Sequence, residues 1–500
     1  MSSLYSFGAN IPGGSGSACQ IVGPLSGFGE IATEIPTPTA QVDFIYSINA
    51  YVLRSENYLG GASISQASGE AVISCGADAN SYARLSARRV LRYRPGQGSL
   101  VRMTARFAAA VENNRQLIGP YNVQSGYQFG YVGTEFGILH TSSGVIEIQA
   151  LTVTVAPAAP GNVTVTLDGG PAVTAAVTAS GNTSITAFQI SQSDYSQTSG
   201  GWDAISIGNV VYFVRRIAGP AGASSFSAGA TGAAAAFSTV TTGVVATETF
   251  ITQSTWNTDK FNGSGPTGIT LDPTKGNVYA IQFQYLGYGD AFFYIEDSNT
   301  GRFSPCHIIR NANSRTSTVL RNPSCYMTWE SRNTGNATSV AFFGASGSAF
   351  TEGQVLFLGP RFATNTIKSI SSAVLTPLIS LRATRVFQNQ ASNVQIKIDR
   401  ISVSADGTKT VAMALYLNAT LTAAQFSRFD SSLSAADFDT SASAVTSGIL
   451  LYAFTVAKAG NTDQDVVSLD IVLNAGDTLT VTALSANTSD VTVSVAWVEN

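Results

Sequence analysis

Apolar and polar side chains alternate with a period of two along most of the chain, and that pattern predicts strands rather than helices. Alternation begins at 42–52 and returns in VLRYRPGQGSLVRMTARF, where Pro95-Gly96-Gln97-Gly98 supplies a turn and predicts a hairpin between the flanking strands. A helix over 84–94 is the alternative, but the Pro-Gly stop favours strands. Strand and turn signals continue through YQFGYVGTEFGILHTSSGVIEIQALTVTV, with glycines marking the turns. Strong patterns recur at 277–285 and 291–295, followed by the turn Ser298-Asn299-Thr300-Gly301, and then at 393–403, 411–417 and 478–498. Short strands separated by turns make a sandwich or jelly roll, whereas the absence of heptads and of a solenoid period argues against a coiled-coil shaft or β-helical spike. The fold expected is all-β: a jelly-roll-like β-sandwich with an inserted subdomain and a second, C-terminal β-sandwich.

Composition shifts set the expected boundaries. Residues 1–40 are rich in Gly, Pro and Ser, and Pro36 and Pro38 oppose a regular ladder, so this segment is expected to be an extended N-terminal arm. The first sandwich is assigned to 41–150 plus 251–365, and the C-terminal sandwich to 366–500. Between the two pieces of the first, 151–250 is an Ala/Ser/Gly-rich insertion, whose low-complexity run at 219–237 is expected to be flexible or partly helical.

Charged residues make up 12% of the 500 positions, about half the usual share, while hydrophobic residues stand at 44%. Such a surface is covered by neighbours without desolvating many ions, which suits a subunit of a large assembly. A net charge of −4 argues against bulk electrostatic binding to nucleic acid or anionic lipid. The charge is unevenly placed. Eight arginines (Arg84, Arg88, Arg89, Arg92, Arg94, Arg102, Arg106, Arg115) accompany one acid, Glu112, whereas 430–500 carries nine acids and only Lys458. The arginines read as interface candidates gripping other subunits, because the aromatic interleaving of single-strand binders is missing. The arm and the arginine-rich sandwich would then attach to the assembly, with the acidic end projecting.

Candidate chemistry is sparse. General acid/base work near neutral pH most often recruits His, and the chain has only His140 and His307, each inside a strand pattern that makes it structural. GxSxG, HExxH, Walker A and strand-linked GxGxxG motifs are absent. Asp297 to Gly301 resembles half a calcium loop but lacks the distal Glu, so a hairpin turn is expected. Glu296 and Asp297 are adjacent in a strand and point to opposite faces, so they cannot flank one glycosidic bond. Cys19, Cys75, Cys306 and Cys325 lack metal or redox spacing and read as buried thiols. No cofactor, metal or catalytic residue is assigned, and the protein is expected not to be an enzyme. Neither a leader nor an apolar stretch of membrane-spanning length is found, so no membrane partner is expected.

WNTDKFNGSGPTGITLDPTKGNVYAIQFQYLGYGDAFFYIEDSNTGRF (256–303), with RYRPGQGSLVRMTARF and FGYVGTEFGILH, resembles virion proteins shared by tailed bacteriophages and large DNA viruses of algae. The likeness spans roughly 90–360 and brings over no catalytic residues. It implies a structural component of a virus particle, and with thiols expected to stay reduced and no leader found, manufacture and assembly in the host cytoplasm are expected. A fibre or surface appendage in host attachment is expected, with a capsid-surface, vertex or tail-adaptor protein as the alternative. Expected partners are other copies of the chain, as a trimer, and other virion proteins. A lectin-like reading would use Trp202, Trp256, Tyr285 and Tyr288 to stack on host-surface glycan. A capsule depolymerase built from distant acids is the enzymatic rival.

Overall fold

Alternating side chains become two facing sheets in the first sandwich. The computed structural model describes residues 36–354, 359–371 and 373–500; the remainder of the expected arm, including Cys19, lies outside them. Strands take 55% of the chain and helix 3%, so the protein is all-β. One sheet has seven strands, in the order Thr247–Thr252, Glu135–Ser142, Ser125–Val132, Asn114–Asn122, Tyr326–Asn333, Tyr82–Ala87 and Leu53–Tyr58. The other has six, in the order Pro36–Asp43, Ser346–Glu352, Ser99–Ala105, Asn277–Phe283, Ala291–Asp297 and Arg302–Ile309. The chain crosses repeatedly between the two, from Tyr82–Ala87 to Ser99–Ala105 to Asn114–Asn122, and again from Arg302–Ile309 to Tyr326–Asn333 to Ser346–Glu352. That exchange makes the sandwich jelly-roll-like. Inward residues of both sheets form one core, with Leu85, Ile118, Phe129 and Trp329 from the first meeting Val101, Tyr279 and Phe293 from the second. Trp329 sets a steric limit on its neighbours: a Cβ at Gly344 would lie 2.5 Å from its indole nitrogen.

Three expectations are corrected by how these strands pair. Pro95 to Gly98 does lie in a turn, with the Gln97 amide donating to the Arg94 carbonyl at 3.0 Å. The expected hairpin is not formed, however: 90–94 makes only an isolated bridge, Leu91 to Cys325, and the strand before it, Tyr82–Ala87, lies in the sheet facing Ser99–Ala105, with Leu85 and Val101 meeting in one core from its two sides. Within 42–52 only the first residues are strand, and Phe44 is buried while Ile45 and Tyr46 are exposed at a bend. Pro36 and Pro38, expected in an arm, sit in the strand Pro36–Asp43, paired antiparallel with Ser346–Glu352. An edge strand needs only one row of ladder bonds, and a register shift between Pro38 and Ala40 accommodates the rest. The turn at Asp297 is as expected: its Oδ1 accepts from the Asn299 amide at 2.7 Å, and Gly301 takes φ 66°.

The inserted unit packs a four-stranded sheet (Trp202–Ile207, Val210–Ala218, Ile146–Val155, Ala234–Thr241) against a three-stranded one and a helix, Thr183–Ser191. The low-complexity run at 219–237 is strand in part, not helix: Ser225–Ser227 and the start of Ala234–Thr241 fall in it, where small side chains permit close sheet packing. The helix lies elsewhere, capped by Asn182, whose side chain accepts from the amides of Ser184 and Ile185. The C-terminal sandwich faces a five-stranded sheet against a six-stranded one, around Trp497, Ile398, Leu415 and Val481. Its contact with the insertion is apolar and hydrogen-bonded: Phe188 of the helix packs with Leu421 and Phe426, and the Gly208 amide donates to the Phe426 carbonyl at 2.7 Å.

Candidate functional site at the junction of the three units

The outer face of the seven-stranded sheet is where the three units meet, and strand period places its charges there. In Tyr82–Ala87 the residues Ala83, Leu85 and Ala87 face the core, so Tyr82 and Arg84 point outward. Register then puts Glu56 and Glu330 directly opposite Arg84 on its two neighbouring strands. The Arg84 Nη1 donates to Glu56 at 2.8 Å and its Nε to Glu330 at 2.6 Å. Cross-strand pairs of opposite charge are favourable on an exposed sheet face. Here the face is covered by the insertion, and the pairs are buried.

Asp203 of the insertion enters from the other side. It accepts from Arg54 at 2.5 Å, from Arg216 at 2.8 Å and from Arg385 at 3.2 Å, so one carboxylate joins the first sandwich, the insertion and the C-terminal sandwich. Burial pushes its carboxyl up, but Arg385, Arg54 and Arg216 together hold it well below the ordinary range. Glu56 and Glu330 behave alike: burial opposes their charge, and Arg54 with Arg84, or Arg332 with Arg84, more than reverses it. A second buried group, Asp437, is held by Arg382 at 3.2 Å and Arg428 at 3.3 Å. There burial wins and the carboxyl is raised. Arg382 also reaches the Ser206 carbonyl of the insertion and stacks over Phe426. Around the first group lies a cavity of about 250 Å³, lined by Arg54, Glu56, Arg84, Asp203, Arg216 and Arg385 among others.

The arginines singled out as interface candidates are largely engaged within the chain. Besides Arg84, Arg88 pairs with Asp477, Arg89 with Asp470, Arg106 with Glu70 and Arg115 with Glu248. Arg102 lies over the rings of Phe303 and Phe350. Arg92 and Arg94 have no carboxylate partner among the described residues. Two of the acids in 430–500 are therefore counter-ions for the arginine-rich strands, and the two oppositely charged regions meet across the first and last sandwiches. Of the stacking candidates, Trp202 at 1% and Trp256 at 2% exposure are core residues, so neither ring face is open to a sugar. Tyr285 spends its hydroxyl on the Leu320 carbonyl and packs edge-on against Tyr93; only Tyr288, 47% exposed, is presented to solvent.

Both histidines are structural. His140 stacks on Tyr127 at 4.9 Å with Nε2 on the Val319 carbonyl, and His307 Nδ1 accepts from the Asn257 amide. Burial lowers the pKa of each. Cys75, Cys306 and Cys325 are buried free thiols. Among the described residues no group of three His, Cys, Asp or Glu could hold a metal, and no helix is long and apolar enough to cross a membrane.

No family model and no curated protein matches the chain. Solved structures do. One, from work on the triple jelly roll fold and turret assembly in an archaeal virus, is 8% identical and covers 94% of this chain and 98% of its own, with a TM-score of 0.15. Another, from the atomic structure of Sulfolobus turreted icosahedral virus, is 10% identical and covers 93% and 98%, with a TM-score of 0.14. Scores of that size establish no shared backbone arrangement, and the fold rests on the sheets themselves.

Proposed function

We propose that the protein is a non-catalytic structural component of a virus particle, a fibre or surface appendage that assembles as a trimer. The observation that carries this reading is the pair of uncovered edges on the C-terminal sandwich. The ten-residue strand Arg361–Ile370 ends one sheet and presents alternate side chains to solvent, with Ile367 71% exposed. Ile449–Val456 ends the other and exposes Ile449 and Leu450. Long open edges that carry exposed apolar residues such as Ile367, Ile449 and Leu450 invite pairing with another chain, and closed symmetry satisfies them without open-ended growth. The resemblance of 256–303 to virion proteins of tailed phages and algal viruses supports the same reading, as does the charge-poor surface. The buried arginine–carboxylate groups serve cohesion, because each carboxylate is already paired with guanidinium groups of this chain. A capsid-surface, vertex or tail-adaptor place would use the same edges. Glycan reading is reduced to Tyr288 and is not favoured.

Two measurements test the proposal. Mass spectrometry of gradient-purified particles is expected to find the chain in stoichiometric amount, and light scattering on the recombinant protein is expected to give three copies. Absence from intact particles, or a monodisperse monomer at high concentration, would overturn it.

A further inference from the structure

The junction holds more positive charge than its own carboxylates neutralise. Arg54, Arg84, Arg216, Arg332 and Arg385 face Glu56, Asp203 and Glu330, five guanidinium groups against three carboxylates. The neighbouring arginines do not redress the balance, since Arg88, Arg115 and Arg215 each pair with an acid of their own, Asp477, Glu248 and Asp168. Two positive charges are left over in a largely buried place. An unpaired buried charge is costly unless a counter-ion joins it.

The surplus is presented to a space. Arg54, Arg84, Arg216 and Arg385 all line the cavity of about 250 Å³, together with Tyr326 and Asn393. Arg84 is 5% exposed, and its Nη2 is buried with no hydrogen-bond acceptor, although Nε and Nη1 of the same guanidinium are both used. Burial pulls Arg385 below the ordinary guanidinium range in spite of Asp203, and Arg54 and Arg216 add to the fall, as expected of a cation short of anions. The cavity lies below the range of roughly 300–1,000 Å³ that takes drug-sized ligands. We propose that it binds a small multivalent oxyanion of the phosphate class, held by Arg54, Arg84, Arg216 and Arg385. Planar guanidinium forks suit such an anion, and two negative charges would neutralise the junction. Because the four arginines come from the first sandwich, the insertion and the C-terminal sandwich, the bound anion would lock the three units together.

The test uses the full chain, titrated with inorganic phosphate and with pyrophosphate against sodium chloride of matched ionic strength. Calorimetry is expected to show saturable binding, and the Tm is expected to climb with the logarithm of anion concentration once the site fills. Arg385→Gln leaves Asp203 with Arg54 and Arg216, and is expected to weaken binding by on the order of tenfold or more, the effect of losing a charge-assisted hydrogen bond. Arg361→Gln, in the exposed pair with Asp399, is expected to leave binding unchanged. No saturable heat and no Tm rise beyond chloride on the unaltered chain overturns the proposal, whatever the variants do. Equal binding by Arg385→Gln also overturns it, and so does stabilisation by a short oligonucleotide with none by free phosphate.

Discussion

Asp203 shows how much one side chain can decide. Its neighbours in sequence make it an ordinary strand residue, opposite Val214 in the insertion. Its three arginine partners come from positions 54, 216 and 385, so its energetic weight is a tertiary property. Asp203→Asn keeps the shape and removes the charge, leaving three guanidinium groups short of their shared counter-ion. The expected cost is about 3–5 kcal/mol, the usual penalty for breaking a buried pair by removing one partner. Urea unfolding midpoints read it. A variant as stable as the parent would show that water reaches the junction and screens it.

At the scale of the element, the helix Thr183–Ser191 is short and has no i,i+4 charge pairs or acidic first turn to sustain it. Its stability comes from packing and from one cap. Asn182 accepts from the Ser184 amide at 2.8 Å and donates from Nδ2 to Gln425 at 2.9 Å, so the cap also ties the helix to the last sandwich. Asn182→Ala is expected to cost about 0.5–2 kcal/mol and to speed amide exchange in 183–191 before the sheets are affected. Uniform exchange changes across the whole insertion would instead mean that the helix and its sheets open as one unit. This helix is not among the elements expected from the sequence, and Asn182, a residue type that favours helix starts, is the local signal that could have marked it. Its nine residues show little of the apolar face that normally announces a helix, because Phe188 turns towards the C-terminal sandwich while Ala187 and Ile190 turn towards the insertion.

For the molecule as a whole, the buried titratable groups set the response to acid. Glu56, Glu330 and Asp203 have folded pKa values below their ordinary 4.5, 4.5 and 3.8. Each therefore contributes stability that is complete above the ordinary value and is lost as pH falls through the folded one. The two histidines, lowered from 6.5, have the same sign and begin the loss earlier. Asp437, raised from 3.8, has the opposite sign, since its protonated form is favoured in the fold. Three carboxylates and two histidines outweigh one. The urea midpoint is expected to be level between about pH 7 and 8, to slip below pH 6.5 and to fall steeply below about 4.5, with Asp203→Asn flattening the last part. A midpoint constant from pH 7 to 3 would contradict the burial of these ion pairs.

The sequence by itself determined the class of structure and many of its strands. Period-two alternation and Gly/Asn/Asp turns marked 411–417, 277–285 and the turn at Asp297, because those signals arise within a few residues and depend only on which side chains face water. What it left open was which strand lies beside which. The segments on either side of Pro95 to Gly98 read as a hairpin, yet the first makes only a bridge at Leu91 and the strands around it lie in facing sheets; Pro36 and Pro38 read as an arm and are an edge strand. The same limit applied to the junction. Eight arginines in one stretch were legible as a charged segment, but their counter-ions at Glu56, Glu330, Asp470 and Asp477 are brought to them only by the fold. Pairing across hundreds of residues leaves no local periodicity, so it was the tertiary structure that turned an apparent outward-facing patch into the internal fastening of three β units.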